Sequence, residues 1–331
     1  MRFWQNNRAI ILLGSLLLAS GCQKKDRPAQ IRIDGSGTVF PITEAVAEEF
    51  QKKQKSRITI GVSGTGGGFK KFCSDGLSMV QASRPIKPTE ANLCAQNQVE
   101  YIELPIAYDG IVVVVHPKND WVNDVSILDL KKIWEPAAQG KIMKWRQVHQ
   151  NWPNEEIHLF APGVDSGTYD YFTNVVVGTE HASRGDVTSS EDDNVLVQGV
   201  GTDKFSLGFF GFVYYAENKN RLKVLSLDGV TPTFSAIKDG KYQPLSRPIF
   251  IYINKKQADV PDVVAFVDFY LKEGIPLIEQ VGYVPLSIQA YDLVIKRFEQ
   301  RVVGSIFSGV AAVDSHKVEQ ILSGAANGLG S

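Results

Sequence analysis

The chain has 331 residues, 44% of them hydrophobic, enough for two domains with cores of ordinary size, which excludes global disorder. Lys plus Arg (35) nearly cancels Asp plus Glu (36), so no long-range field recruits nucleic acid or an anionic bilayer. Any anion has to be gripped locally.

At the N-terminus Arg2 and Arg8 precede an apolar run from Ile10 to Leu18, and Ala19, Ser20 and Gly21 lead to Cys22. Charge, apolar run and small residues in that order describe a secretory signal over residues 1–21, too short for a comfortable permanent span. Leu18-Ala19-Ser20-Gly21-Cys22 resembles a bacterial lipobox, with Ala19 where that motif usually has Leu, and implies lipidation of Cys22 ahead of a linker to residue 30. The alternative is an ordinary signal peptide with an incidental cysteine. Setting Cys22 aside leaves Cys73 and Cys94, an even pair in an exported chain and therefore an expected disulfide.

From Ile31 onward short β-branched runs alternate with helical segments, the pattern of α/β domains with parallel strands. Ile31 to Ile33 reads as a strand and Pro41 to Gln54 as a helix, with Ile42, Val46 and Phe50 on one buried stripe. Arg57 to Val62 is the next strand, and a glycine-rich turn opens a helix from Gly66 to Phe72. The most continuous apolar strand lies within Ile106 to His116 and ends at Pro117. Ser126 is placed to cap a helix through Trp134, and Ser190 one from Glu191 to Gly199. Ile157 to Phe160, Leu207 to Tyr215, Leu222 to Leu227 and Pro248 to Ile253 read as strands. Helices follow over Val260 to Lys272, Ile275 to Val281 and Ile288 to Arg301, and Ala325 to Ser331 reads as a loose tail.

Three turns share one design: Gly35-Ser36-Gly37-Thr38, Ser63-Gly64-Thr65-Gly66-Gly67-Gly68 and Asp165-Ser166-Gly167-Thr168. Each is read as following a strand and opening a helix, whose free N–H groups and positive dipole end suit an anion. Glycines admit close backbone approach, and hydroxyls add donors without charge. Taken singly, each turn also fits a plain structural cap. No P-loop spacing is present, the five histidines lack ligand spacing for a metal, and Ser166 does not lie in a nucleophile elbow. No metal, cofactor or catalytic residue is therefore expected.

Together these turns resemble PstS-type phosphate-binding proteins. The resemblance rests on Asp34 to Pro41, Gly64 to Lys70, Ala82-Ser83-Arg84-Pro85-Ile86, Asp165 to Phe172 and Ser190 to Val195, and runs from about Ile31 to about Arg301. It implies an α/β fold of the two-lobe type II periplasmic-binding-protein kind, each lobe a mixed sheet flanked by helices, with the ligand in the interlobe cleft. Lobe 1 would comprise residues 31–115 and 247–322, lobe 2 residues 116–246, and residues 323–331 a tail. It further implies an extracytoplasmic monomer held to the membrane only by its lipid, which binds inorganic phosphate and delivers it to the permease of an ABC importer.

Carried over by motif, the resemblance assigns the ligand to Ser36, Thr38 and Val39, to Thr65 with Ser63 beside it, and to Ser166, Gly167 and Thr168. Family members carry an Asp where this chain has Arg84 and an Arg where it has Pro162. Arg84 is then the expected guanidinium for phosphate, the alternative being a salt bridge on the surface or between lobes. With that Asp missing, Asp165, Asp192 and Asp193 are candidate acceptors for the proton of hydrogen phosphate, or simply helix caps. Sulfate, arsenate or molybdate as ligand, a sensor or adhesion role, and a phosphate-releasing enzyme remain as alternatives.

Overall fold

The computed structural model describes residues 30–309 and 317–328. The expected signal, Cys22 and residues 23–29 of the linker lie outside the described residues, as do 329–331. In chain order the strands are β1 (Gln30–Gly35), β2 (Arg57–Ile60), β3 (Met79–Ala82), β4 (Tyr101–Val115), β5 (Asp124–Val125), β6 (His158–Pro162), β7 (Thr188–Ser190), β8 (Ser206–Gly211), β9 (Lys223–Val224), β10 (Ser226–Leu227), β11 (Ser246–Asn254) and β12 (Val284–Pro285). The main sheet runs β2-β1-β3-β11-β4-β8-β6-β7, with β9 and β12 also on β4, while β5 and β10 pair separately.

Strand β4 joins the two halves of this sheet. Its first stretch, Tyr101 to Gly110, pairs antiparallel with β11, and Ile111 to Val115 pairs antiparallel with β8. All 15 of its residues are buried. The strand begins five residues earlier than apolar continuity indicates, because Glu103 and Pro105 interrupt the apolar run ahead of Ile106 while remaining inside the sheet. Glu103 is accommodated there by Tyr252 (2.7 Å), Ser305 (2.5 Å) and the amide of Ile306 (2.8 Å), and burial pushes its pKa up.

Around β4 the parallel pairs β1 with β2, β1 with β3, β6 with β7 and β6 with β8 are joined through helices. The helix Phe40–Lys53 buries Ile42, Val46 and Phe50 as their spacing requires, and Phe50 packs on Phe266 and Phe269 with ring centroids 5.3 and 5.5 Å away.

Some element boundaries differ from the sequence reading. The helix after β7 is Asp193–Thr202, and its N-cap is Asp192, which accepts from Asn194 N; Ser190 ends β7 and accepts instead from Asp192 N. The expected strand Leu207 to Tyr215 stops at Gly211, whose backbone turns the chain into the helix Phe212–Glu217. Helix Lys317–Gly328 continues past Ala325, where the sequence suggests a loose end.

Cys73 and Cys94 form the expected disulfide across 21 positions, tying the end of helix Gly64–Phe72 to helix Pro88–Gln96. Cys73→Ser or Cys94→Ser should lower the unfolding free energy by about 3 kcal/mol, the loop-closure value for that separation. Urea unfolding with and without reductant checks this; an unchanged midpoint in both variants and in reduced wild type would contradict it.

Candidate functional site

The three turns each lie where a parallel strand gives way to a helix. The first leaves β1 at Gly35, whose φ of 140° and whose position, with a built Cβ only 2.1 Å from the carbonyl oxygen of Gln81, admit no side chain. Ser36 N donates to Gln81 O (2.8 Å) and Gln81 Nε2 donates to Ser36 O (3.0 Å), fixing the turn before helix Phe40–Lys53. Ser63 stands at the N-cap of helix Gly64–Phe72, and Ser166 caps helix Gly167–Phe172 by accepting from Thr168 N (3.1 Å).

These segments meet. Thr38 Oγ1 lies 2.8 Å from Thr168 Oγ1, and Thr65 Oγ1 lies 3.2 Å from Ser83 Oγ. A Cβ built on Gly167 would stand 2.7 Å from both the Thr65 and the Ser83 hydroxyl oxygens, so the third turn fits against the second only because residue 167 is glycine. The Thr38, Thr65, Ser83 and Thr168 side chains are all buried.

The guanidinium at this meeting point belongs to Arg247. It donates to Thr168 Oγ1 (2.7 Å) and to Gly167 O (2.9 Å), and it pairs with Asp109 Oδ2 at 3.2 Å. Arg247 and Asp109 are cross-strand partners on β11 and β4, so sheet register holds the pair in place. Both are almost fully buried, and burial lowers the arginine's pKa while the Asp109 charge opposes that shift. Burial pushes Asp109 up to about 6, against the pull of Arg247, so it is ionised at neutral pH.

Asp193 lies next to this cluster. It is 3% exposed, and its Oδ2 lies 3.6 Å from a Cβ built on Gly37. Burial, reinforced by the Asp109 charge, pushes Asp193 up to about 8, so it holds a proton at pH 7. Tyr214 donates to Gly37 O (2.8 Å) and Tyr283 donates to Thr38 O, which orients the first turn toward the threonine cluster.

The other sequence-derived residues take different places. Arg84 does not face the threonines: it forms a two-pronged pair with Glu90 (2.8 and 2.8 Å), donates to Pro85 O (3.0 Å), and donates from Nε to Asp170 (2.6 Å). This is the salt-bridging alternative, satisfied because Glu90 and Asp170 supply two carboxylates to a guanidinium that is 5% exposed. Ser63 donates to Asp34 (2.8 Å), outside the hydroxyl cluster. Ser36 and Val39 are buried within the first turn. Asp165 pairs with Lys70 (2.8 Å) at an exposed edge, and its carbonyl accepts from Gly66 N (2.8 Å). Asp192 is the exposed helix cap described above.

Arg247 and Asp109 escape a motif reading because each sits alone in a strand. The signal that marks them is a charge inside an apolar run: Asp109 before Ile111 to Val115, and Arg247 directly before Pro248 to Ile253. A charge in a fully buried strand requires a partner, and two such strands point to each other.

A family model described as the PBP superfamily domain matches residues 23–273. Protein SphX of Synechocystis sp. is 46% identical over 315 residues, which are 93% of this chain and 94% of the relative. The phosphate-binding protein PstS of Staphylococcus saprophyticus is 36% identical over 292 residues, 86% of this chain and 88% of its own length. A solved Clostridium perfringens structure, named as a candidate phosphate ABC transporter substrate-binding protein with bound phosphate, superposes with a TM-score of 0.68 at 25% identity, covering 78% of this chain and 100% of that one. The chain belongs to the PBP superfamily and, within it, to the family of the SphX and PstS proteins. Its mixed α/β fold is the one expected from the sequence.

Proposed function

We propose that this protein binds inorganic phosphate in the cradle formed by Thr38, Thr65, Gly167, Thr168 and Arg247, and delivers it to the permease of an ABC importer without catalysing a reaction. The observation that carries this reading is the convergence of hydroxyls from three separate helix-opening turns on one buried guanidinium. Preorganised donors of that kind replace the hydration shell of a small tetrahedral oxyanion. The relatives named for phosphate support the choice of anion. The halves of the sheet on either side of β4 would act as lobes that close over the ligand. Among the described residues no helix is long and apolar enough to cross a membrane. Attachment outside the cytoplasm is assigned to a lipid at Cys22 on the lipobox-like Leu18 to Cys22.

Selectivity above about pH 8 falls to Asp193. Once ionised, its carboxylate accepts a hydrogen bond from an oxyanion that still carries a proton and repels one that does not, which favours hydrogen phosphate over sulfate.

Isothermal calorimetry tests the reading: saturable one-to-one phosphate binding is expected, and the absence of heat with phosphate would refute it. Gly167→Ala should weaken phosphate binding at least tenfold, because its methyl group displaces Thr65 and Ser83 by several tenths of an ångström. Affinity equal to wild type in a folded Gly167→Ala protein would show that the second and third turns do not share the ligand.

A further inference from the structure

A second charged cluster lies beside the cradle. Asp170, 1% exposed, accepts from Arg84 Nε at 2.6 Å, its Oδ2 also lies 2.9 Å from Lys87 Nζ, and its Oδ1 lies 2.8 Å from His181 Nε2. Lys87 Nζ is also 2.9 Å from Glu180 Oε2 and 3.2 Å from His181 Nε2. Donor atoms of Asp170, Glu180 and His181 lie within 4.8 Å of one another, and the Lys87 ammonium stands among them as their cation.

The cluster connects the two halves of the sheet. Arg84 and Lys87 follow β3, whereas Asp170 lies in helix Gly167–Phe172, whose Phe172 stacks on Phe209 of β8 at 3.7 Å. It is also adjacent to the cradle on both sides: Arg84 follows Ser83, the partner of Thr65, and Asp170 is two residues beyond Thr168. Parting the halves to release a ligand separates Arg84 and Lys87 from Asp170, and Lys87 from Glu180, so ion pairs made in the closed form are lost in the open one, a cost borne only on opening.

We propose that Lys87, with Asp170 and Glu180, is a closure latch that sets how fast the closed protein releases phosphate, without touching the anion. This rests on the phosphate-binding reading above. Its signature is kinetic: loss of a desolvated charge pair that forms on closing speeds dissociation and leaves the encounter rate unchanged.

The test is release of radiolabelled inorganic phosphate, chased with an excess of unlabelled phosphate, for wild type, Lys87→Met and Glu180→Gln. Lys87→Met should release about tenfold faster and Glu180→Gln about threefold faster, with association rates within twofold of wild type and Lys87→Arg close to wild type. Wild-type protein that retains no phosphate would overturn the function itself. Wild-type retention with unaltered release from both variants would overturn the latch alone, and should Lys87→Met not fold, Glu180→Gln decides on the same measurement.

Discussion

Arg247→Ala should abolish measurable phosphate binding, a loss of at least about a hundredfold, because it removes a charge-assisted donor that no neighbour replaces. It should also destabilise the protein by about 3–5 kcal/mol by leaving Asp109 buried without its cation. The two effects can be separated. In Arg247→Ala with Asp109→Asn the orphaned charge is gone, so most of the stability returns while binding stays lost. Urea unfolding and calorimetry on the single and double variants check both statements; a double variant that binds phosphate like wild type would remove Arg247 from the cradle.

Asp193→Asn should reduce the preference for phosphate over sulfate by about a hundredfold at pH 9 and leave it nearly unchanged at pH 6.5. The sign follows from a folded pKa near 8, well above the ordinary 3.8. Below pH 8 the protonated carboxyl donates to either anion. Above it the carboxylate accepts from hydrogen phosphate and repels sulfate. In wild type, selectivity therefore rises with pH through about 8; in Asp193→Asn it is flat. The same shift acts on stability. Between about pH 4 and pH 8 the folded protein holds a proton that the unfolded chain releases, so this group's contribution falls as pH rises across that window and is absent in Asp193→Asn. Competition calorimetry at the two pH values measures the first effect, and a wild-type selectivity that does not change with pH would refute it.

What the sequence conveyed depended on whether local chemistry determined the outcome. The helix Phe40–Lys53 and the cap at Ser126 follow from periodicity and a hydroxyl acceptor, both local properties. The three Ser/Gly/Thr turns were legible for the same reason: each carries its own helix-opening signal. Arg84 was misleading because sequence position places it beside the cradle, whereas the choice between an anion and Glu90 plus Asp170 is made by tertiary contacts. Arg247 and Asp109 became a pair only through the register of β11 on β4, across 138 positions of sequence. The sequence offers Asp193 as one of three equivalent acids, and burial, which no local pattern encodes, distinguishes it from the cap Asp192 and the exposed-edge Asp165.

The most direct measurement is a crystal structure of the protein grown with phosphate. The account predicts the anion within hydrogen-bond distance of Thr38, Thr65, Thr168 and the Arg247 guanidinium, with Arg84 still paired to Glu90 and Asp170. Phosphate bound instead to Arg84 and Lys87, with the Thr38 and Thr168 hydroxyls left in contact with each other, would contradict it.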